Sequence, residues 1–513
     1  MSTNQLKAGA FISYAQMGLA VIVGLIYTPM MIRILGQNEY GLYNTIVSTI
    51  SMLSILSLGF NSSYIRYYAK YKAQKDERSI DKLNGMFLLI FLCIGAIVFF
   101  CGLFLTFNLH FVFDKGLSDS EHVLAKKLMF LLTINLSISF PMSVFQNIIS
   151  AHERYVFLKL LGALKSVVVP LLSIPLLLIG CRSVGLVVLT LAISLVTDAF
   201  YIIYSKKNLR IRFSFRNLEK GLFWDLFVFT SFIALNLIVD QVNINAGKFL
   251  LGRFSGTGAV AVYSVGFSLY QYYMTFSTAV SGVFSPRIHK IVNDTCNDNA
   301  RQRVQLTDLF IKVGRVQFII LALVASGLIF FGQYFISVWA GEGYTQSYYV
   351  MLVILIPSTI PLIQNVGIEV QRAKNKHQFR SIVYIIMSIV NLAVTIWLCP
   401  RIGVLAPAIG TAVSTIVANC IIINIFYHKK CNIDMVAFWK SIIRLMCGLI
   451  IPICCGILFN YLFVIDSLIK FGLLVLIYTA IYCGSMYFLG FNKYEKDLVS
   501  RFVRKIFGFL RRH

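Results

Sequence analysis

Charged residues are scarce in this chain. Only 13% of its 513 residues are Asp, Glu, Lys or Arg, whereas soluble proteins carry about a quarter. Hydrophobic residues make up 58% of the sequence, and the mean hydropathy is +0.78. This composition excludes a soluble globular protein and indicates an integral membrane protein.

Acidic residues are scarcer than basic ones. There are 21 Asp and Glu residues against 46 Lys and Arg, which gives a net charge of +25. In a soluble protein such an excess would suggest nucleic-acid binding. In a membrane protein the cytoplasmic loops collect Lys and Arg, so we expect no nucleic-acid partner.

The sequence also lacks the spacings that hold metals. Its eleven cysteines lie mostly inside apolar runs, and no Cys/His cluster has metal-ligand spacing. We expect neither a metal site, a disulfide framework nor a cofactor. The first apolar run, residues 8–32, lacks a small-residue cleavage site, so it is interpreted as a retained span rather than a signal peptide.

Long apolar runs dominate the rest of the chain. A helix that crosses the hydrocarbon core needs about 20 apolar residues. On that basis we predict an all-α membrane protein with about fourteen transmembrane helices. The predicted spans are residues 8–32, 40–65, 83–107, 128–149, 161–181, 184–204, 223–247, 259–284, 309–337, 348–370, 381–399, 404–427, 441–463 and 469–491.

The basic residues predict the orientation of these spans. Alternate links, together with both termini, hold about 33 Lys and Arg residues, and the opposite set holds about 9. The positive-inside rule therefore predicts cytoplasmic N- and C-termini. The tail, residues 492–513, combines apolar residues at helical spacing with basic residues. It fits either a helix on anionic inner-leaflet lipids or a simple basic anchor.

Two short patterns occur twice in the chain. The stretch 33–43 recurs 220 residues later as 253–263, with its arginine, glycine and tyrosine in register. The pair Gln146-Asn147 recurs 218 residues later as Gln364-Asn365. We predict two pseudo-symmetric six-helix lobes of parallel topology, followed by two extra helices. The predicted boundaries are 1–210, 211–430, 431–491 for spans 13 and 14, and 492–513 for the tail.

Three short motifs resemble one family. They are Leu35-Gly36 with Tyr40-Gly41-Leu42-Tyr43, then Leu58-Gly59-Phe60 with Arg66-Tyr67-Tyr68, and Ile402-Gly403-Val404 with Ala408-Ile409-Gly410-Thr411-Ala412. Together they resemble the polysaccharide-transporter branch of the multidrug/oligosaccharidyl-lipid/polysaccharide exporter superfamily.

This resemblance implies a non-enzymatic flippase of the bacterial inner membrane. Its substrate would be an undecaprenyl-diphosphate-linked oligosaccharide repeat unit of O-antigen, capsule or exopolysaccharide. Transport would use alternating access, with H⁺ or Na⁺ as a coupling ion, and other membrane proteins of polysaccharide assembly as partners. The alternatives are a peptidoglycan-precursor flippase, a drug or cation antiporter, and a membrane polymerase or ligase. The last would need a large outer loop, which this sequence lacks.

A diphosphate-linked substrate needs cationic groups, and the sequence offers several. Each could instead be an ordinary inner-loop charge or a side chain that reaches the membrane surface. The matched pair Arg33 and Arg253 could bind the head group or brace the outer turn with Glu39. The candidates are Arg33, Arg66, Lys165, Lys248, Arg253, Arg287 and Arg315.

Span 7 is the most polar of the predicted spans. Asn236, Asp240 and Asn243 recur at i, i+4 and i+7, which is one face of a regular helix. That face could line a cavity, with Asp240 accepting the coupling ion, or Asp240 could bind a neighbouring helix or Lys248. Asp198 in span 6 is a second candidate acid.

Overall fold

In the computed structural model, residues 2–57, 59–113, 116–216, 220–281, 284–295 and 298–500 are described, and they contain helices and no strands. Helices are suited to the hydrocarbon core of a bilayer, because a helix satisfies its backbone hydrogen bonds within one segment. The prediction of an all-α membrane protein is confirmed.

Twenty-one α-helices are defined in this part of the chain. The first ten are α1 Ser2–Leu35, α2 Gln37–Met52, α3 Phe60–Ala73, α4 Glu77–Phe107, α5 Leu109–Val112, α6 Asp119–Ala151, α7 Tyr155–Leu178, α8 Arg182–Lys207, α9 Lys220–Gln241 and α10 Gly247–Phe254. The others are α11 Gly256–Ser281, α12 Ser285–Asp294, α13 Asn299–Trp339, α14 Gln346–Ile363, α15 Val366–Ala373, α16 His377–Ile402, α17 Ala406–Thr415, α18 Asn424–Lys430, α19 Met435–Met446, α20 Ile450–Leu462 and α21 Leu468–Ser485.

Among the described residues, ten segments are long and apolar enough to cross a membrane. One of them, His377–Lys430, covers two of the predicted spans. Predicted spans 2, 7 and 8 are not among the ten, so the total of fourteen stays a prediction. Span 2 is interrupted, because a 3₁₀ turn at Leu53–Ser57 and a left-handed Gly59 separate α2 from α3.

The chain forms two compact units. The first lies within Met1–Val265 and Tyr384–Thr411, and the second within Gly266–Val383 and Ala412–His513. Each has a buried apolar core of its own: Phe87 and Phe91 are fully buried in the first, and Phe310 and Phe438 are buried in the second. The lobe boundaries expected from the repeat stay a prediction.

The glycine of the repeated stretch 33–43 has a similar φ angle in both copies. Gly36 has φ of 79° and Gly256 has φ of 81°. This left-handed region is strained for residues with a Cβ atom, which explains why the glycine recurs. Two further left-handed pairs stand 222 and 221 residues apart, Glu153 with Asn375 and Arg182 with Gly403.

Glu39 in the first copy joins the turn after Gly36 to α8. One carboxylate oxygen accepts hydrogen bonds from the backbone N–H and the hydroxyl of Ser183 at 2.9 and 2.7 Å. The other oxygen lies 3.1 Å from Nε of Arg182. A carboxylate in this position also complements the positive N-terminal end of the α8 dipole.

Candidate functional site

The Gln-Asn pair that recurs in the sequence makes parallel contacts in the two units. In the first unit the side chain of Gln146 interacts with Asp198, and Asn147 Nδ2 donates to Asn61 Oδ1 at 2.6 Å. The glutamine thus contacts the helix of predicted span 6, and the asparagine contacts that of span 2.

In the second unit Gln364 Nε2 donates to Asn424 Oδ1 at 3.2 Å, and Asn365 Nδ2 donates to Ser277 Oγ at 2.8 Å. These partners lie on the helices of predicted spans 12 and 8, the counterparts of spans 6 and 2. Asn424 is an amide where the first unit has the carboxylate of Asp198. The two copies of the Gln-Asn pair therefore contact equivalent helices. The acid Asp198 belongs to the first network, and the amide Asn424 takes its place in the second.

Asp198 and Lys165, two candidates from the sequence, lie in this same network. The Lys165 ammonium donates to Ser194 Oγ at 2.9 Å, and Ser194 precedes Asp198 by one turn of α8. Asp198 is 8% exposed and interacts electrostatically with Lys165. The structure thus brings together a cation from α7 and a buried carboxylate from α8.

A π-turn at Val242–Ala246 follows α9 and interrupts the regular α-helical spacing of span 7. Such a turn holds one residue more than an α-turn, so the residues beyond it rotate about the helix axis. Asn236 and Asp240 are exposed, whereas Asn243 is only partly so. That Asn236, Asp240 and Asn243 form one cavity-lining face stays a prediction.

Asn243 points into a small polar pocket of the first unit. Its Oδ1 accepts a hydrogen bond from Asn391 Nδ2 at 3.2 Å. Asn391 Oδ1 accepts from Thr395 Oγ1 at 3.2 Å, and Thr411 and Tyr263 complete the polar lining. The cavity measures about 10 Å³, which is close to the space that one water molecule occupies.

This pocket offers neutral oxygen atoms from amides and hydroxyls. Hard cations prefer oxygen ligands, and none of the lining side chains takes up a proton near neutral pH. The described residues contain no group of three or more His, Cys, Asp or Glu that could hold a metal ion. Asp240 lies three residues before Asn243 on the N-terminal side of the π-turn.

The remaining cationic candidates occupy different environments. Arg33 and Arg253 are exposed in the last turns of α1 and α10, three residues before the left-handed glycines. Arg66 on α3 and Arg287 on α12 are exposed as well. Lys248 is half-buried in α10, directly after the π-turn.

Arg315 departs from this pattern. It is 2% exposed, and its Nε and Nη2 donate to the two carboxylate oxygens of Glu495 at 2.5 and 2.8 Å. Further donors bind Ser441 O and Gly490 O at 2.8 and 2.9 Å. Because the guanidinium is saturated by the protein, we remove Arg315 from the substrate-binding candidates and assign it a structural role.

Some residues of these clusters were not predicted. Asn391 and Thr395 lie at i and i+4 in an apolar run, and this polar pair on one helix face could have indicated the pocket. Thr411 belongs to the third family motif, which did not predict a polar pocket. Glu495 had no signal, since nothing in the sequence indicates that it meets Arg315 across 180 residues.

Comparison with known proteins places the chain in a family. Residues 6–292 match the model of a family described as "Polysaccharide biosynthesis protein". The chain belongs to this family. Over 412 residues the chain is 21% identical to the "Putative O-antigen transporter" of Shigella flexneri, and the alignment covers 78% of the chain and 92% of the relative.

Solved structures share the fold of this chain. The lipid II flippase MurJ, in an inward closed conformation, is 15% identical, with a TM-score of 0.69 over 95% of this chain and 99% of MurJ. An inward-facing multidrug resistance MATE family transporter of the MOP superfamily is 13% identical, with a TM-score of 0.63 over 86% of this chain and 99% of the transporter.

These findings confirm the resemblance expected from the sequence. The chain is a multi-pass membrane protein with the fold of MOP-superfamily transporters. Its relatives are transporters and flippases rather than enzymes, as the sequence led us to expect.

Proposed function

We propose that this protein is a flippase for polyprenyl-diphosphate-linked oligosaccharide repeat units. The observation that carries the proposal is the family match over residues 6–292, supported by a relative named for O-antigen transport that aligns over 92% of its length. In a bacterium the protein would move each unit from the cytoplasmic to the outer leaflet of the inner membrane.

The exposed arginines suit the capture of such a substrate. Arg66 and Arg287 lie where the positive-inside count predicts the cytoplasmic side, and both are exposed. A guanidinium binds phosphate oxygens in bidentate fashion. In this proposal each of the two residues can bind a diphosphate on its own unit, and Lys165 beside Asp198 is a further cation of the first unit. Arg33 and Arg253 act at release on the opposite side.

The polar pocket behind the π-turn suits a coupling cation. Asn243, Asn391, Thr395 and Thr411 supply neutral oxygens around a space for one small ion. This chemistry favours Na⁺, and H⁺ is the alternative if Asp240 accepts it. Binding there would couple the conformation of span 7 to the ion gradient.

A transport assay tests the substrate. Purified protein is reconstituted in liposomes with a fluorescent undecaprenyl-diphosphate trisaccharide, and a membrane-impermeant quencher reports the fraction that reaches the outer leaflet. We expect faster exposure than in protein-free liposomes, and faster exposure of the trisaccharide than of labelled lipid II. Equal rates with and without protein would refute the flippase.

Lipid II is the second candidate substrate, favoured by the fold similarity to MurJ. It shares the polyprenyl diphosphate, so the same cations would bind it. At 15% identity the similarity supports the fold alone. Preference for lipid II in the liposome assay would decide for this alternative.

The coupling ion is tested in the same liposomes. The variant Thr395→Val removes a hydroxyl bonded to Asn391, and Thr190→Val removes one that donates to the carbonyl of Leu186 in its own helix. We expect a Na⁺ gradient to accelerate transport, and Thr395→Val alone to abolish that acceleration. If Asp240→Asn removes a dependence on the proton gradient instead, the pocket is not the coupling site.

A further inference from the structure

A groove of about 590 Å³ lies along α18 and α19 in the second unit. It shares no lining residue with the small pocket around Asn243, and Asn424 of the second Gln-Asn network lies at its edge. Its walls combine aliphatic, aromatic and basic side chains. Among them are Ile425, Lys429, Val436, Trp439, Lys440 and Ile443. This combination along one surface indicates an amphipathic occupant.

The aliphatic part follows from the two faces of α19. Phe438 and Ile442 are 0% and 1% exposed and anchor the helix to its unit. On the other face Val436 and Ile443 are 70% and 60% exposed at i and i+7. Ile425, 51% exposed, adds to the same surface from α18. In a membrane protein such a face is suited to contact with acyl chains.

The basic part lies at the end of α18 and in the second turn of α19. Lys429 and Lys440 are both exposed, and within the described part of the chain neither forms an ion pair. The nearby carboxylate of Asp434 is already engaged. It lies 3.3 Å from Arg303 and accepts hydrogen bonds from the first turn of α19, and these contacts hold its pKa below the usual value.

Trp439 and His428 give the groove a fixed wall. The Trp439 indole Nε1 donates to Asn424 Oδ1 at 2.8 Å, which holds the ring in place. His428 Nδ1 accepts from the backbone N–H of Met435 at 3.4 Å. Tryptophan is favoured at the boundary between hydrocarbon and water, so the ring marks the depth at which a lipid head group would meet its chains.

We propose that this groove binds an anionic glycerophospholipid of the adjacent leaflet, which the positive-inside count predicts to be the cytoplasmic one. The phosphate contacts Lys429 and Lys440, and the acyl chains lie on Val436, Ile443 and Ile425. Basic sites between helices on that side are suited to anionic head groups. The inference does not depend on the transported substrate.

Charge argues against the chain's own tail as the occupant. Residues 501–513 carry five Arg and Lys residues and no acid, so they would add positive charge beside two unpaired lysines. A zwitterionic lipid would satisfy the aliphatic wall but would leave no net negative charge for the lysines.

Fluorescence of Trp439 tests the site in the full-length protein. The other tryptophans, Trp224, Trp339 and Trp397, are replaced by Phe, and the protein is reconstituted with lipids brominated on the acyl chains. We expect brominated phosphatidylglycerol to quench Trp439 at least twofold more than brominated phosphatidylcholine at equal mole fraction. The double variant K429Q/K440Q should equalise the two lipids, while K206Q/K207Q, which neutralises two exposed lysines at the end of α8, should preserve the difference.

Native mass spectrometry of the protein with all four tryptophans provides a second measurement that does not need the Phe variants. Retained phosphatidylglycerol should fall by about one molecule per protein in K429Q/K440Q and stay unchanged in K206Q/K207Q. Equal loss in the two double variants would overturn the proposal, because it would show general surface charge. Equal quenching by the two lipids, or displacement by undecaprenyl phosphate but not by phosphatidylglycerol, would overturn it as well.

Discussion

Nε of Arg315 on α13 lies 2.5 Å from a carboxylate oxygen of Glu495, beyond α21, and both side chains are 3% exposed. The pair joins the long helix of predicted span 9 to the chain after predicted span 14. Removal of one partner from a buried ion pair leaves an uncompensated charge, which costs about 3–5 kcal/mol. Replacement of both partners by apolar residues is often neutral.

We therefore expect Arg315→Met and Glu495→Leu each to destabilise the protein by about 3–5 kcal/mol. The double variant should recover most of this loss. Thermal unfolding in detergent measures stability, and the liposome assay measures transport. If Arg315→Met/Glu495→Leu is stable but inactive, Arg315 has a role in transport and our structural assignment is wrong.

Asp198 and Lys165 test a role in transport rather than in stability. If the carboxylate of Asp198 acts in transport, its loss should slow transport even in a variant that folds normally. We expect Asp198→Asn, which keeps an acceptor for Gln146, to fold and to lower the transport rate by about tenfold or more, a barrier change of about 1.4 kcal/mol. The double variant Lys165→Met/Asp198→Asn should be as stable as the original protein, and its transport should stay at least as slow as that of Asp198→Asn. Recovery of transport in the double variant would assign the pair to structure alone.

Gly36 tests the repeated turn. Its φ of 79° and ψ of 168° lie in a region that is essentially restricted to glycine, and open space surrounds the position where a Cβ atom would stand. Gly36→Ala should therefore cost about 1–3 kcal/mol of unfolding free energy through backbone strain alone.

Gly18 is the matched control, because it also has open space around a Cβ position but lies inside α1 without a positive φ. Gly18→Ala should be neutral or slightly stabilising. Equal effects of the two substitutions on thermal unfolding would contradict the strain argument.

His152 predicts a pH dependence of stability. It lies just beyond α6, with Nδ1 2.8 Å from the carbonyl oxygen of Ile148 and Nε2 2.9 Å from the Tyr68 hydroxyl. Burial lowers its pKa below the usual 6.5, and the positive charges of Lys72 and Arg154 add to this, against an opposing effect of the Ile148 bond.

The folded protein therefore resists protonation of His152, whereas the unfolded chain takes up a proton near pH 6.5. Stability from this group is complete above about pH 6.5 and declines as the pH falls through that value and toward the lower folded pKa. We expect the melting temperature to drop between about pH 7.5 and 5.5. His152→Gln should flatten this drop, and substitution of the exposed His289 by Gln should not. An unchanged slope in His152→Gln would exclude His152 as the cause.

The sequence predicted those features that depend on local composition. Apolar runs set the helices, since hydrocarbon requires them, and the recurrent glycine at positions 36 and 256 marked a turn that only a residue without a Cβ atom adopts easily. The recurrent Gln-Asn pair also pointed to a shared structural role, although its partners, Asp198 and Asn424, emerged only from the fold.

Features that depend on contacts between residues far apart in the chain could not be predicted from the sequence. Arg315 looked like a cavity cation because nothing local shows that Glu495 neutralises it. The helical wheel of span 7 could not include the π-turn. It assumes 3.6 residues per turn throughout, and the π-turn at Val242–Ala246 breaks that assumption within the segment where the polar residues lie.

That π-turn places one surplus residue in span 7 compared with a regular α-helix. Successive residues of a regular helix are turned by about 100° around its axis. If the turn lay one residue farther along, a different side chain near Asn243 would therefore face Asn391. Such a rotation would require neither a hinge nor a proline.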